Sequence, residues 1–170
     1  MLNGLGNDLL SKRQERIARL PRILIADDSQ YSRYALRKLL ESHGCDVCGE
    51  AEDGLSVVEK SAILKPDLVI LDFKMPNLNG LEAGRAIHAA NPGIPLLLFT
   101  LEHIGPPLLE LARQAGFRGA LAKGEGIFAL SEAIEVLLKG ETFFLSASES
   151  SLPAAAQGDS MMRPDKSRRN

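Results

Sequence analysis

Three apolar runs, each ending on a reactive polar side chain, do most to limit what this chain can fold into. Ile23-Leu24-Ile25-Ala26 stops at Asp27-Asp28, Leu68-Val69-Ile70-Leu71 stops at Asp72, and the run from Ile94 to Phe99 stops at Thr100. A strand that is apolar at every position needs cover on both faces, which is the habit of parallel sheets sandwiched by helices. The segments between the runs carry helical spacing. Ser29 is a helix N-cap, followed by Tyr31, Ala35, Leu36, Leu39 and Leu40 on one face to about His43, with Gly44 as the stop. A strand is expected from about Asp46 to Ala51, then a helix from Asp53-Gly54 to Leu64 or Lys65, closed by Pro66. Further helices are expected from about Leu81 to Ala90 and from about Pro106 to Ala115, the two prolines of the latter fitting only its first turn. A short fifth strand, Gly119 to Ala122, ends at Lys123, and a last helix runs from Gly126 to Leu138.

Strand and helix thus alternate five times. Right-handed crossovers leave few topologies for such a chain. The expected one is a flavodoxin-like (βα)5 three-layer α/β sandwich with parallel strand order 2-1-3-4-5. At 170 residues the chain suits one domain with tails. Residues 1–20 read as a polar N-terminal extension, 21–140 as the domain, and 141–170 as a linker-like tail expected to be disordered. Ser11 to Leu20 has the pattern for about two helical turns, with a frayed extension as the reading preferred. Lys166, Arg168 and Arg169 near the terminus read as solvated. The formal net charge of −2 excludes a whole-domain basic footprint, so direct nucleic-acid binding is not expected. No apolar stretch is long enough for a signal peptide or a membrane span, and a cytoplasmic protein is expected. Cys45 and Cys48 form a Cys-x-x-Cys, but on a strand residues three apart point to opposite faces, so the two sulfurs are expected to be structural.

In the order 2-1-3-4-5 the C-terminal ends of strands one and three flank the switch point where open α/β sheets place ligands. Four strands deliver reactive groups to that edge: Asp27 and Asp28, Asp72, Thr100, and Lys123. Each alone is ordinary where a strand meets solvent; all five at one end is not. Three carboxylates in one cleft repel, and a hard divalent cation such as Mg²⁺ relieves the repulsion while leaving room for a phosphate oxygen. Lys123 adds a mobile positive charge and Thr100 a hydroxyl donor. Together they equip the site for phosphoryl transfer to a carboxylate. Walker-A spacing is absent, Gly4-x-Gly6 follows no strand, and His43, His88 and His103 read as surface histidines.

These residues resemble the receiver domains of two-component response regulators. The resemblance runs from about Arg22 to Lys139. It rests on Asp27-Asp28, on Leu71-Asp72-x-x-Met75-Pro76-x-x-x-Gly80, on Thr100, and on Ala115-Gly116 through Gly119 to Lys123. It implies that Asp72 is phosphorylated by a histidine kinase or a small phosphodonor. It implies that Asp28 and Asp72 bind Mg²⁺ directly, Asp27 through water, and Lys74 by its backbone carbonyl. Thr100 and Lys123 would hold the phosphoryl oxygens. Two positions depart from the family pattern: Ala120 stands where a toggling aromatic is common, and Gly124 where proline often follows the lysine.

The expected function is a phosphoacceptor that signals by a phosphorylation-dependent conformational change and is not itself an enzyme. Its partners are a sensor histidine kinase or phosphotransfer protein and an unnamed output protein, with a second copy of the chain as a further candidate. The alternative is the receiver part of a shortened helix-turn-helix transcription regulator, suggested by the linker-like Glu141 to Ser146. A phosphatase using Asp72 as nucleophile is disfavoured, because Lys74 occupies the place of the general acid. Lys74 and Glu102, each two residues past a site residue, are a candidate ion pair beside the phosphoryl group.

Overall fold

The structure is a computed structural model and describes residues 19–145. Among them, six strands form one parallel sheet: β1 (Arg22–Ala26), β2 (Asp46–Ala51), β3 (Leu68–Leu71), β4 (Leu96–Thr100), β5 (Gly119–Ala122) and β6 (Phe143–Phe144). The helices are α1 (Gln30–Ser42), α2 (Gly54–Leu64), α3 (Gly80–Ala90), α4 (Pro106–Gln114) and α5 (Gly126–Leu138). The strand order is 2-1-3-4-5-6, the expected order extended by one strand. The expectations for residues 11–18, the tail beyond Leu145 and its basic end lie outside the described residues.

The apolar runs become the centre of the sheet. Every residue of β3 is buried, as are Ile23, Leu24 and Ile25 of β1 and Leu96, Leu97 and Leu98 of β4. Alternation splits them between two cores. Leu24, Val69, Leu71, Leu96 and Leu98 face α2, α3 and α4, while Ile23, Ile25, Leu68, Ile70 and Leu97 face α1 and α5. Each such side chain contributes roughly 1.5–3 kcal/mol by leaving water. The strands therefore cannot slide without exchanging the two cores.

The helix ends follow the chemistry of their caps. Ser29, Asp53 and Asn79 each accept a hydrogen bond from the backbone three residues on, and Asn79 and Glu82 complete a reciprocal capping box. Three expectations need correction. The third helix begins at Gly80 rather than Leu81, because Asn79 is its cap. Strand β4 begins at Leu96 rather than Ile94; Pro95 has no N–H to donate, and its carbonyl accepts from the Val69 amide at 3.1 Å. The segment read as linker-like from residue 141 contains β6, which pairs with β5 through Phe143 N–H to Arg118 O (2.9 Å) and Leu145 N–H to Ala120 O (3.1 Å).

Cys45 belongs to one core and Cys48 packs against the other, so the sulfurs do lie on opposite faces of the sheet. A bulge there pairs Ile23 with Val47 but Leu24 with Gly49. Both thiols are free, and burial raises the pKa of each. Among the described residues no helix is long and apolar enough to cross a membrane.

Candidate phosphoryl-acceptor site

The ladder of the sheet continues into the site. Asp72 N–H donates to Ala26 O at 2.8 Å, and Asp27 N–H to Ala51 O at 3.1 Å, so both acids leave the sheet from fixed backbone. Asp72 is 8% exposed, Asp27 3% and Thr100 1%, whereas Asp28 is exposed. Carboxylate oxygens of Asp27, Asp28 and Asp72 lie within 4.8 Å of one another.

One cation balances part of this charge. Lys123, at the end of β5 and the start of a 3₁₀ turn (Lys123–Glu125), reaches back across the sheet edge. Its Nζ stands 2.5 Å from Asp27 Oδ2 and 3.5 Å from Asp72 Oδ2. Asp27 Oδ1 accepts from the Ser29 amide at 2.9 Å, and Asp72 Oδ1 from the Phe73 amide at 2.8 Å. Burial nonetheless raises the pKa of Asp72; Lys123 and a hydrogen bond from the Thr100 hydroxyl oppose the rise, and Asp27 adds to it. The sequence places all five of these residues at one rim, and the structure brings them together there. A buried carboxylate that is costly to ionise, beside two more acids and a single lysine, is a donor set suited to a hard divalent cation bound by oxygen ligands.

Gly80 explains the spacing of the motif that begins at Asp72. Its N–H donates to Phe73 O at 2.8 Å, and a Cβ at this position would lie 2.1 Å from the Asp72 carbonyl oxygen. The start of α3 is packed directly on the backbone of Asp72, and only glycine permits that approach. Lys74 and Glu102, each two residues past a site residue, form an ion pair at 2.6 Å, and the hydrogen bond that Lys74 donates to Glu102 raises the pKa of Lys74.

Some neighbours were not foreseen. Arg33 on α1 donates to the carbonyl oxygens of Asp27 (2.7 Å) and Asp28 (3.3 Å) and to Glu50 on β2 (3.2 Å). One signal pointed to it: a basic residue in the first turn of a helix opposes the helix dipole and needs a partner elsewhere. Phe144 on β6 is the register partner of Ala120 and packs on the same core, with the Arg113 guanidinium 4.4 Å from its ring centre. An aromatic thus lies beside Ala120, but on the next strand. Phe117 is buried core, its ring occupying the space that Gly84 leaves open. His88, read as a surface residue, is half-buried with Nδ1 lacking a hydrogen-bond partner.

Comparison with known proteins agrees with this arrangement. The response regulator receiver domain family matches residues 23–135. Response regulator GacA of Pseudomonas viridiflava is 33% identical over 123 residues, covering 72% of this chain and 57% of that protein. Transcriptional regulatory protein PdtaR of Mycobacterium tuberculosis is 39% identical over 115 residues, covering 68% and 55%. The chain therefore matches little more than half the length of these curated relatives. A LuxR-family two-component response regulator from Aurantimonas sp. SI85-9A1 superposes with a TM-score of 0.71 at 31% identity, covering 76% of this chain and 91% of that structure. With its doubly covered parallel sheet and an acidic cluster at the switch-point edge, the chain belongs to the response regulator receiver domain family.

Proposed function

We propose that Asp72 is the phosphoacceptor of this receiver domain. The observation that carries the reading is the convergence of three carboxylates within 4.8 Å with Lys123 Nζ bridging two of them. Asp72 is taken as the acceptor because Lys123, 3.5 Å away, and Thr100 both act on its carboxylate, and these are the groups that would hold the transferred oxygens.

Transfer forms a bond between an Asp72 carboxylate oxygen and phosphorus, while the bond from phosphorus to the donor breaks and the donor leaves with its electron pair. Asp28, Asp72 and Asp27 would hold Mg²⁺, with the Lys74 carbonyl as a further ligand. When bound, the ion supplies neutralisation of the charge that develops on the transferred group. Lys123 needs to move only from the Asp27 side toward Asp72, which it already approaches at 3.5 Å, to meet the new oxygens. Thr100, whose hydroxyl favours the charged form of Asp72, follows the same charge. Phosphorylation adds close to two negative charges, and the withdrawal of Lys123 and Thr100 toward them reshapes the ends of β4 and β5.

The phosphodonor is a sensor histidine kinase or a phosphotransfer protein, and the reshaped face is read by an output protein or a second copy of the chain. Receiver-family membership supports a cytoplasmic location and a signalling rather than catalytic role. Incubation of the full chain with acetyl phosphate and Mg²⁺ is expected to yield a hydroxylamine-sensitive phosphoryl adduct, absent from Asp72→Asn and abolished by EDTA. An unmodified wild type, or an adduct that persists in Asp72→Asn, would contradict the assignment.

A further inference from the structure

Asp27 and Asp28 are adjacent in sequence, and on an extended strand adjacent side chains point to opposite faces. Their carboxylates nevertheless meet Asp72 in one cluster. The chain must therefore turn out of the strand at once after Asp27, and something must hold that turn.

We propose that Arg33 is the positioning residue that does so, gripping the backbone of the acidic pair by its carbonyl oxygens. The proposal rests on the divalent-cation reading of the acidic cluster. Arg33 Nη1 donates to both successive carbonyls, Asp27 O at 2.7 Å and Asp28 O at 3.3 Å. Successive carbonyls of an extended chain point opposite ways, so convergence on one donor defines the turn. The other end of the same guanidinium is pinned, Nε donating to Glu50 Oε2 at 3.2 Å. The planar fork of a guanidinium holds the distance between these two attachments in a way that a flexible ammonium cannot.

Glu50 is itself held. Arg37 Nε meets its other carboxylate oxygen at 2.5 Å, and Lys60 Nζ meets its backbone carbonyl at 2.5 Å. Against the cost of burial, the hydrogen bonds from Arg37 and Arg33 keep the Glu50 carboxyl below its ordinary pKa. The Arg33 side chain is only 12% exposed. Its charge lies close to the acidic pair but on the carbonyl side. It offsets their repulsion without occupying the carboxylate oxygens that a cation would need.

Groups that orient metal ligands from behind change metal affinity by about 10–100-fold when removed. The test uses Mn²⁺ as the probe, its free fraction read by electron paramagnetic resonance well below the melting temperature, alongside circular dichroism. Arg33→Ala is expected to weaken Mn²⁺ binding by about tenfold, Arg33→Lys to recover part of the loss, and Glu50→Gln to lie between wild type and Arg33→Ala. A purely structural ion pair would lower the melting temperature and leave the affinity of the folded protein alone. Affinity within twofold of wild type in folded Arg33→Ala overturns the proposal. If Arg33→Ala does not fold, wild-type affinity in both Arg33→Lys and Glu50→Gln overturns it equally. A wild type that binds no Mn²⁺ refutes the cation-site reading itself and is distinct from either result.

Discussion

Replacing Asp72 by Asn is expected to stabilise the metal-free protein at neutral pH while removing most of its response to Mg²⁺. The Asp72 carboxylate has two like charges within 4.8 Å and one lysine at 3.5 Å. At an effective dielectric of about 20, a pair of unit charges at 4.8 Å repels by about 3 kcal/mol, and one at 3.5 Å attracts by about 5 kcal/mol. Solvent screens the exposed Asp28 further, so attraction and repulsion nearly cancel. Burial then decides the sign, and the Asp72 carboxyl is harder to ionise in the folded than in the unfolded chain. A group shifted this way contributes stability below the ordinary carboxyl range near pH 4 and loses it as pH rises through the folded value. The gain in Asp72→Asn should therefore be near zero around pH 4 and reach on the order of 1–2 kcal/mol by pH 7, roughly 4–8 °C in Tm. Mg²⁺ at a hundred times its Kd should add about 2.7 kcal/mol to wild type, and less than about 1 kcal/mol to the variant. Thermal melts in EDTA and in Mg²⁺, from pH 4 to 8, measure both. The reasoning fails if Asp72→Asn melts below wild type in EDTA at pH 7, if the difference does not vary with pH, or if the two proteins gain equally from Mg²⁺.

Two further outcomes follow from the surroundings of Asp72. If the Lys74–Glu102 ion pair screens the path of the attacking water, Lys74→Ala and Glu102→Ala should each shorten the lifetime of the phosphorylated form; an unchanged decay of the isolated phosphoprotein removes the screening role. Gly80→Ala sets a methyl group against the Asp72 carbonyl, an overpacking expected to lower stability by roughly 1–3 kcal/mol and to slow phosphorylation by acetyl phosphate. Urea unfolding and the initial phosphorylation rate report the two effects, and wild-type values for both would show that α3 gives way freely.

What could be read from the sequence was whatever depends on local pattern. Asp27, Asp28, Asp72, Thr100 and Lys123 each end a run of apolar residues, and topology alone carries those ends to one rim. The opposed faces of Cys45 and Cys48 follow from alternation in the same way. The partner of Arg33 was not legible, because its pairing with Glu50 joins a helix to a strand 17 residues on and no period records it. The sixth strand was hidden for a related reason. Two residues are too short a run to signal a strand by alternation, and Phe143 and Phe144 join the sheet by pairing with the edge of β5. At β4 the apolar pattern began two residues early, since hydrophobicity cannot distinguish Pro95, which accepts a bond from β3, from a residue that also donates.

The short sixth strand also determines how the domain would respond to being pulled. Chain leaving Leu145 is tethered by the short β5–β6 ladder, including Leu145 N–H to Ala120 O, and by the aromatic ring of Phe144 under Arg113. A load applied there would peel this tether before it disturbed the central strands. The strand it peels from is β5, whose Ala122 is paired with Thr100. Tension on the exit point is thus delivered one strand away from Thr100 and the acidic cluster.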